Sequence, residues 1–362
     1  MLAVGVLVRY RHSHAAPVHR RRRTRFLPGA SGPVRAVGLR LERAASRVEK
    51  RVARLAVVRQ STVKPTLSYE DVTAFLHEAM GERPTAVERL VEGMESQAFR
   101  FRVDDHTYVL RINPSLRGFQ KDVWASSALR GRVPVPHVLS LGAVDSEHAY
   151  CIAEWVPGVT LEDLSEADAQ GLVDEVASVG RLIAETDVSG IDGFGDFDPD
   201  GEAPARSWRE VLEKTREDVR HELELRPIAA EADGVLAAYE RLIDCCPEER
   251  GLIHGDFGSN NVLAKHERIT AVLDWDLAMV GDPLYDVANT YFWATYLPCM
   301  KVQASHFQRT LSQLEGYGER ISCYALRIGL EEILENLRDG DANMAAWALE
   351  RSHELVGGGL VD

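Results

Sequence analysis

Up to Pro157 the polar and apolar residues alternate in short bursts, and beyond it they mostly recur at helical spacing. Ser68-Tyr69-Glu70-Asp71 has the form of a capping box. Val72, Phe75, Leu76 and Met80 then share one side of the helix it would open. Strand-like runs follow. Residues 90–103 read as strand, turn, strand, 107–113 alternate, and 137–142 and 149–156 give two more runs. A helix is predicted near 119–129, and Pro157-Gly158 is a firm break. Helical spacing then dominates near 167–187, 207–222, 228–245, 283–297, 303–315, 319–338 and 341–355. Ser207-Trp208-Arg209-Glu210 is a second capping box, and Asp192 to Gly201 reads as loop. The expected class is α+β, with a small antiparallel sheet followed by a larger, mostly helical part.

One stretch, 251–275, interrupts the helical half. The apolar run Gly251-Leu252-Ile253 leads into His254-Gly255-Asp256-Phe257-Gly258-Ser259-Asn260-Asn261. Two β-prone runs, Asn261–Ala264 and Ile269–Leu273, flank a charged turn. A hairpin returns the chain to its start, so Asp274 is expected beside Asn261. The pattern H-x-D-x-x-x-x-N followed eighteen residues later by a second Asp is the parts list of a phosphoryl-transfer loop. One carboxylate, Asp256, takes a proton from the attacking hydroxyl. A neutral oxygen and a second carboxylate, Asn261 and Asp274, hold Mg²⁺. The bland alternative is that Asp and Asn serve only as turn residues; the placement of Asp274 on a strand end before Trp275 favours the chemistry.

Upstream runs supply further candidates. The turn at 93–98 carries Gly93 and Ser96, whose backbone and hydroxyl could cover phosphate, although an ordinary hairpin turn has the same composition. Arg111 sits near the centre of an alternating strand where kinases place a phosphate-gripping cation, with Asp122 on the following helix as its acid. A solvated surface pair is the other reading of both. The backbone from Ala153 to Val156 stands where a hinge would bond a nucleotide base.

On these residues the chain resembles the aminoglycoside phosphotransferase family, which has a protein-kinase-like fold. The runs carrying the resemblance include 92–99, 108–113, 254–263, 268–275, Gly281-Asp282, Val287-Ala288-Asn289, Phe292-Trp293, 326–330 and Ala345-Ala346-Trp347-Ala348, and it spans roughly Val63 to Gly357. The resemblance implies transfer of the γ-phosphate of ATP, or GTP, to a hydroxyl of an aminoglycoside antibiotic, with hygromycin B the one expected. It implies that Asp256 is the base, that Asn261 and Asp274 bind Mg²⁺, and that Arg111 contacts phosphate. Asn260, Asp276, Trp293 and Tyr296 fall in the region that would receive the acceptor. Asp276 and Tyr296 depart from the resembled enzymes, which have a smaller polar residue and a Trp there. Trp293 and Tyr296, three apart on one predicted helix, could equally be a core stripe. A kinase for another small cationic alcohol, such as choline or an amino-sugar, and a non-catalytic nucleotide-binding relative remain alternatives. Asp274-Trp275-Asp276 replaces D-F-G, which argues against a protein kinase.

Charge sharpens the picture. Residues 1–62 hold 15 of the 42 basic and 2 of the 56 acidic residues, a net of +13 against −27 for the remainder. An acidic body concentrates a polycationic substrate and argues against nucleic acid. The five cysteines show no metal spacing, and no apolar run is long enough to cross a membrane. A reduced, cytoplasmic monomer is expected. The expected domains are a basic extension over 1–62, disordered or absent from the working protein, a nucleotide-binding lobe over 63–156 and a helical lobe over 157–362.

Overall fold

Ser68 caps the first described helix in the manner its sequence predicts. The structure, a computed structural model, describes residues 65–90 and 96–358. The extension over 1–62 and Gly93 lie outside the described residues.

In α1 (Tyr69–Met80) the Ser68 hydroxyl accepts the Asp71 N–H at 3.2 Å, and the Asp71 carboxylate accepts the Ser68 N–H at 3.2 Å. The Ser68 hydroxyl also donates to the Asp71 carboxylate at 2.6 Å, and that bond together with the one from the Ser68 N–H holds the Asp71 carboxyl below its ordinary range. Val72, Leu76 and Met80 are buried. The strands β1 (Thr85–Arg89), β2 (Gln97–Val103), β3 (His106–Asn113), β4 (Val138–Ala143) and β5 (Ala149–Glu154) form an antiparallel sheet in the order β1-β2-β3-β5-β4. Phe99, Phe101, Leu110, Ile112 and Ile152 pack with the helix residues into one core, the inward half of each alternating strand. The first strand ends at Arg89, earlier than the Leu90 start predicted from the apolar run. The helix α2 (Leu116–Ala128) begins three residues before its predicted start.

The chain divides into two compact units, and the second takes residues 121–136 together with 156 onwards. Its elements are β6 (Val159–Thr160), α3 (Glu166–Ala184), β7 (Gly195–Asp196), α4 (Trp208–Glu224), α5 (Ala229–Ile243), β8 (Gly251–Ile253), β9 (Val262–Lys265), β10 (Arg268–Val272), β11 (Met279–Gly281), α6 (Leu284–Trp293), α7 (Pro298–Leu311), α8 (Tyr317–Asp339) and α9 (Ala342–Val356). Two small sheets, β10-β9-β6 and β7-β11-β8, carry the chain through the helical mass.

Three local expectations are corrected. The helix predicted at 303–315 runs over Pro298–Leu311, because Pro298 occupies a first-turn position where its missing N–H costs nothing. The helix predicted to 297 ends at Trp293, so Tyr296 lies in the turn after it. At Ser207 only half the capping box forms. Its hydroxyl accepts the Glu210 N–H at 3.1 Å, while the Glu210 carboxylate takes the Arg206 N–H at 2.8 Å.

The helices pack around Trp208, Tyr239, Tyr285, Tyr291, Phe292 and Tyr324, all at 0% exposure. Within this core Asp282 is wholly buried and accepts from Arg320 Nε at 2.8 Å, Arg320 Nη2 at 2.7 Å and the Tyr324 hydroxyl at 2.6 Å. The fork clamps the start of α6 to α8.

Candidate active site

The turn between β9 and β10 is His266-Glu267, with φ of 50° and 59°. Two consecutive left-handed residues are the tight hairpin turn whose twist suits the strands it joins. The register pairs Val272 with Val262, and the Leu273 N–H donates to the Asn261 carbonyl at 2.8 Å. Asp274 therefore follows a residue bonded to Asn261, as the hairpin reasoning expects. Asp274 itself has φ of 63°, a strained conformation for a residue with a side chain.

Asn261 is buried, and Asp256 and Asp274 are half-buried. The Asn261 Nδ2 donates to Asp256 Oδ2 at 2.8 Å and to the Asp256 carbonyl at 3.2 Å. Its Oδ1 lies on the other branch of the amide, 3.4 Å from Asn260 Nδ2.

The loop is held from beneath. The His254 ring is fully buried, its Nδ1 accepts the Asp256 N–H at 3.3 Å, and its Nε2 donates to the Leu273 carbonyl at 2.9 Å. Burial lowers its pKa to about 4 against the stabilising bond to Leu273, so it is neutral. The ring joins the loop to the hairpin's end. The Asp286 carboxylate, on α6, accepts the N–H groups of His254 and Gly255, each at 2.8 Å. Burial raises its pKa to about 6, partly offset by those two bonds. Gly255 has φ of 90°, and a Cβ there would meet the Leu277 carbonyl at 2.5 Å, so only glycine lets the loop lie against residues 275–278. Asn289 Nδ2 donates to the Phe257 carbonyl at 3.3 Å, and Gln303 Nε2 donates to the Gly258 carbonyl at 2.6 Å.

Residues 275–278 are held by α2. Asp122 Oδ1 accepts the Trp275 N–H at 3.0 Å. The fully buried Lys121 ammonium donates to the carbonyls of Asp276 and Ala278, each at 2.7 Å, and is paired with Asp196. Asp122 thus anchors the chain next to Asp274.

In the other unit, Arg111 lies at the centre of the sheet, paired across to Ala98 and Cys151. Its guanidinium is 5.1 Å from the Phe119 ring. The Cys151 thiol is pushed up by burial, offset in part by Arg111. Ser96 directly precedes β2 and is half-buried. The Glu154 N–H is donated to the His137 carbonyl and the Trp155 N–H to the Thr107 carbonyl, so neither is open to a base. Ala153 sits inside the ladder between Val109 and Val138, and Val156 opens the second unit.

Residues 86–318 match the phosphotransferase enzyme family (APH). The chain belongs to this family. It is 39% identical over 304 residues to the hygromycin-B 4-O-kinase of Escherichia coli, covering 82% of this chain and 87% of that protein. It is 29% identical over 226 residues to the viomycin phosphotransferase of Streptomyces vinaceus, covering 57% and 71%. It also matches the crystal structure of a thermostable mutant of aminoglycoside phosphotransferase APH(4)-Ia, in ternary complex with AMP-PNP and hygromycin B. That match has a TM-score of 0.76 and 39% identity, covering 80% of this chain and 99% of that one. The α+β kinase-like fold expected from the sequence is the fold of these phosphotransferases.

Several residues that shape the loop escaped the sequence reading: Asp286, Asn289, Gln303 and Lys121. One signal pointed to Asp286 and Asn289. They are the only Asp and Asn on α6, a helix otherwise made of apolar and aromatic residues and one Thr, so each needed a buried partner.

Proposed function

We propose that this phosphotransferase moves the γ-phosphate of ATP to a hydroxyl of hygromycin B and so confers resistance to it. The observation that carries the reading is the Asn261 amide bonded to the Asp256 carboxylate, in a loop whose hairpin brings Asp274 back to Asn261. Likeness to the Escherichia coli hygromycin-B 4-O-kinase over most of both chains supports the acceptor.

Asp256, oriented by Asn261, accepts the proton of the acceptor hydroxyl. The acceptor oxygen forms its bond to phosphorus, the bond to the bridging oxygen breaks, and ADP leaves with the electron pair. The Asn261 Oδ1 and the Asp274 carboxylate are hard oxygen donors of the kind magnesium takes, and would hold it. When bound, that ion neutralises charge on the phosphates. Arg111 supplies a fixed cation toward phosphate, and Asp122 steadies the segment bearing Asp274. Gly93 and Ser96 belong to the phosphate-covering turn, and the backbone of Ala153 and Val156 to base recognition. Asn260, Asp276, Trp293 and Tyr296 face the acceptor. GTP is the alternative donor. The expected setting is a cytoplasmic monomer; the five unpaired cysteines fit a reducing compartment.

The test is growth of a sensitive host on hygromycin B, with ADP release by purified protein as the second readout. Wild-type chain should protect and Asp256→Ala should not, with an unchanged thermal midpoint. Protection by Asp256→Ala would remove Asp256 from its role. Failure of wild type to protect, with turnover of choline or an amino-sugar instead, would overturn the acceptor.

A further inference from the structure

Helix α2 buries a charge where its neighbours bury hydrocarbon. Lys121, Ala125 and, just past the helix end, Leu129 recur every four residues, and all three are at 0% exposure. An ammonium in that row costs free energy that a methionine would not, unless acceptors surround it.

Three acceptors do. Lys121 is paired with Asp196 and donates to the carbonyls of Asp276 and Ala278, each at 2.7 Å. The Phe197 ring lies 4.9 Å from the same nitrogen. Two carbonyls gathered onto one nitrogen curl the chain at 276–278. The Ala278 N–H closes that turn on the Trp275 carbonyl at 2.9 Å. The next residue of α2, Asp122, takes the Trp275 N–H at 3.0 Å.

The curl begins directly after Asp274. With φ of 63°, Asp274 is in a conformation that persists only where its surroundings over-determine it. Before it, Leu273 is fixed by the Asn261 carbonyl and the His254 ring. After it, the fixing groups come from α2 and the turn. Met279, at the end of the curl, pairs with Asp196 on one side and with Ile253, which precedes His254, on the other. Lys121 thus gathers the chain after Asp274 and the edge strand of the sheet that feeds the catalytic loop.

We propose that Lys121 is a positioning residue for the magnesium ligand: its ammonium, by holding the 276 and 278 carbonyls against Asp196, keeps Asp274 in its left-handed conformation and its carboxylate set for the ion. The proposal rests on the magnesium part of the kinase reading above. Two of the three acceptors lie two and four residues after Asp274, so loss of the ammonium acts first on that ligand.

The experiment is calorimetric binding of AMP-PNP to the purified full-length chain, with magnesium and with EDTA, beside a magnesium titration of ADP release in the presence of hygromycin B. Lys121→Met should weaken AMP-PNP binding in magnesium by roughly 10-fold and raise half-saturating magnesium by a similar factor. Binding in EDTA should stay within about twofold, and kcat at saturating magnesium within about threefold. Asp196→Ala removes one acceptor at a half-buried position where water can replace it. It should raise half-saturating magnesium by about 2- to 5-fold. Half-saturating magnesium unmoved in Lys121→Met overturns the proposal. So does an equal loss of AMP-PNP binding with and without magnesium, which marks a purely structural lysine. Where Lys121→Met does not fold, Asp196→Ala decides, and an unmoved magnesium requirement there overturns the proposal. Wild-type AMP-PNP binding that ignores magnesium overturns the metal reading, and the proposal with it. Absence of hygromycin B turnover by wild type overturns the acceptor instead and leaves the binding comparison to decide the role of Lys121.

Discussion

A single amide, that of Asn261, holds both the side chain and the backbone of Asp256, at 2.8 Å from Oδ2 and 3.2 Å from the carbonyl oxygen. The carboxylate is thereby fixed before any substrate arrives. Preorganisation of this kind matters because a general base works only at a defined approach to the proton it removes.

Asn261→Ala should therefore lower kcat by about 10²- to 10³-fold with little change in thermal midpoint. Asn261→Asp should act differently. A second carboxylate beside Asp256 raises its pKa, so the acid limb of the kcat profile should move to higher pH. A pH–rate series on the three proteins checks both, and kcat within threefold of wild type in Asn261→Ala would count against the lock.

His254 and Asp286 should give the stability of the chain opposing pH slopes. His254 titrates at about 4 in the fold against an ordinary 6.5, so the unfolded chain takes its proton first and stability is lost as pH falls from 6.5 toward 4. Asp286 titrates at about 6 against an ordinary 3.8, so the fold takes its proton first and stability is lost as pH rises through 6. Relative to wild type, His254→Gln should leave the Asp286 slope uncovered, so stability rises as pH falls from 6 to 4. Asp286→Asn should steepen the acid loss over the same window. Urea midpoints at several pH values between 4 and 7 measure both.

The Asp282–Arg320 fork should be a large single contributor to the helical core. Asp282 is at 0% and Arg320 at 9% exposure, so either substitution strands a charge. Asp282→Asn or Arg320→Met should each destabilise by about 3–5 kcal/mol. The double variant should lose clearly less than the sum, because it leaves no orphan. Chemical denaturation of the four proteins of this cycle decides it, and additive losses would show that the pair is not coupled.

Which parts of this were legible in the sequence follows the range of the forces involved. Ser68 announces its helix because a cap is a contact over three residues. The placement of Asp274 beside Asn261 follows from a two-residue turn and strand register. Pro298 shows the limit even of local rules, since spacing placed the helix five residues late where the proline begins it. Asp286, Gln303 and Lys121 were not legible as parts of the site. Their bonds reach across 31, 45 and 155 residues, and an isolated Asp, Gln or Lys carries no mark of its partner.

The sequence by itself determined the α+β class and the order Asp256, Asn261, Asp274, because turns, caps and period-two strands are short-range and depend on neighbours. Only the tertiary structure decided which buried groups steady the loop and the segment after Asp274. Those outcomes depend on desolvation and packing among distant segments, and such energies exist only once the chain has closed on itself.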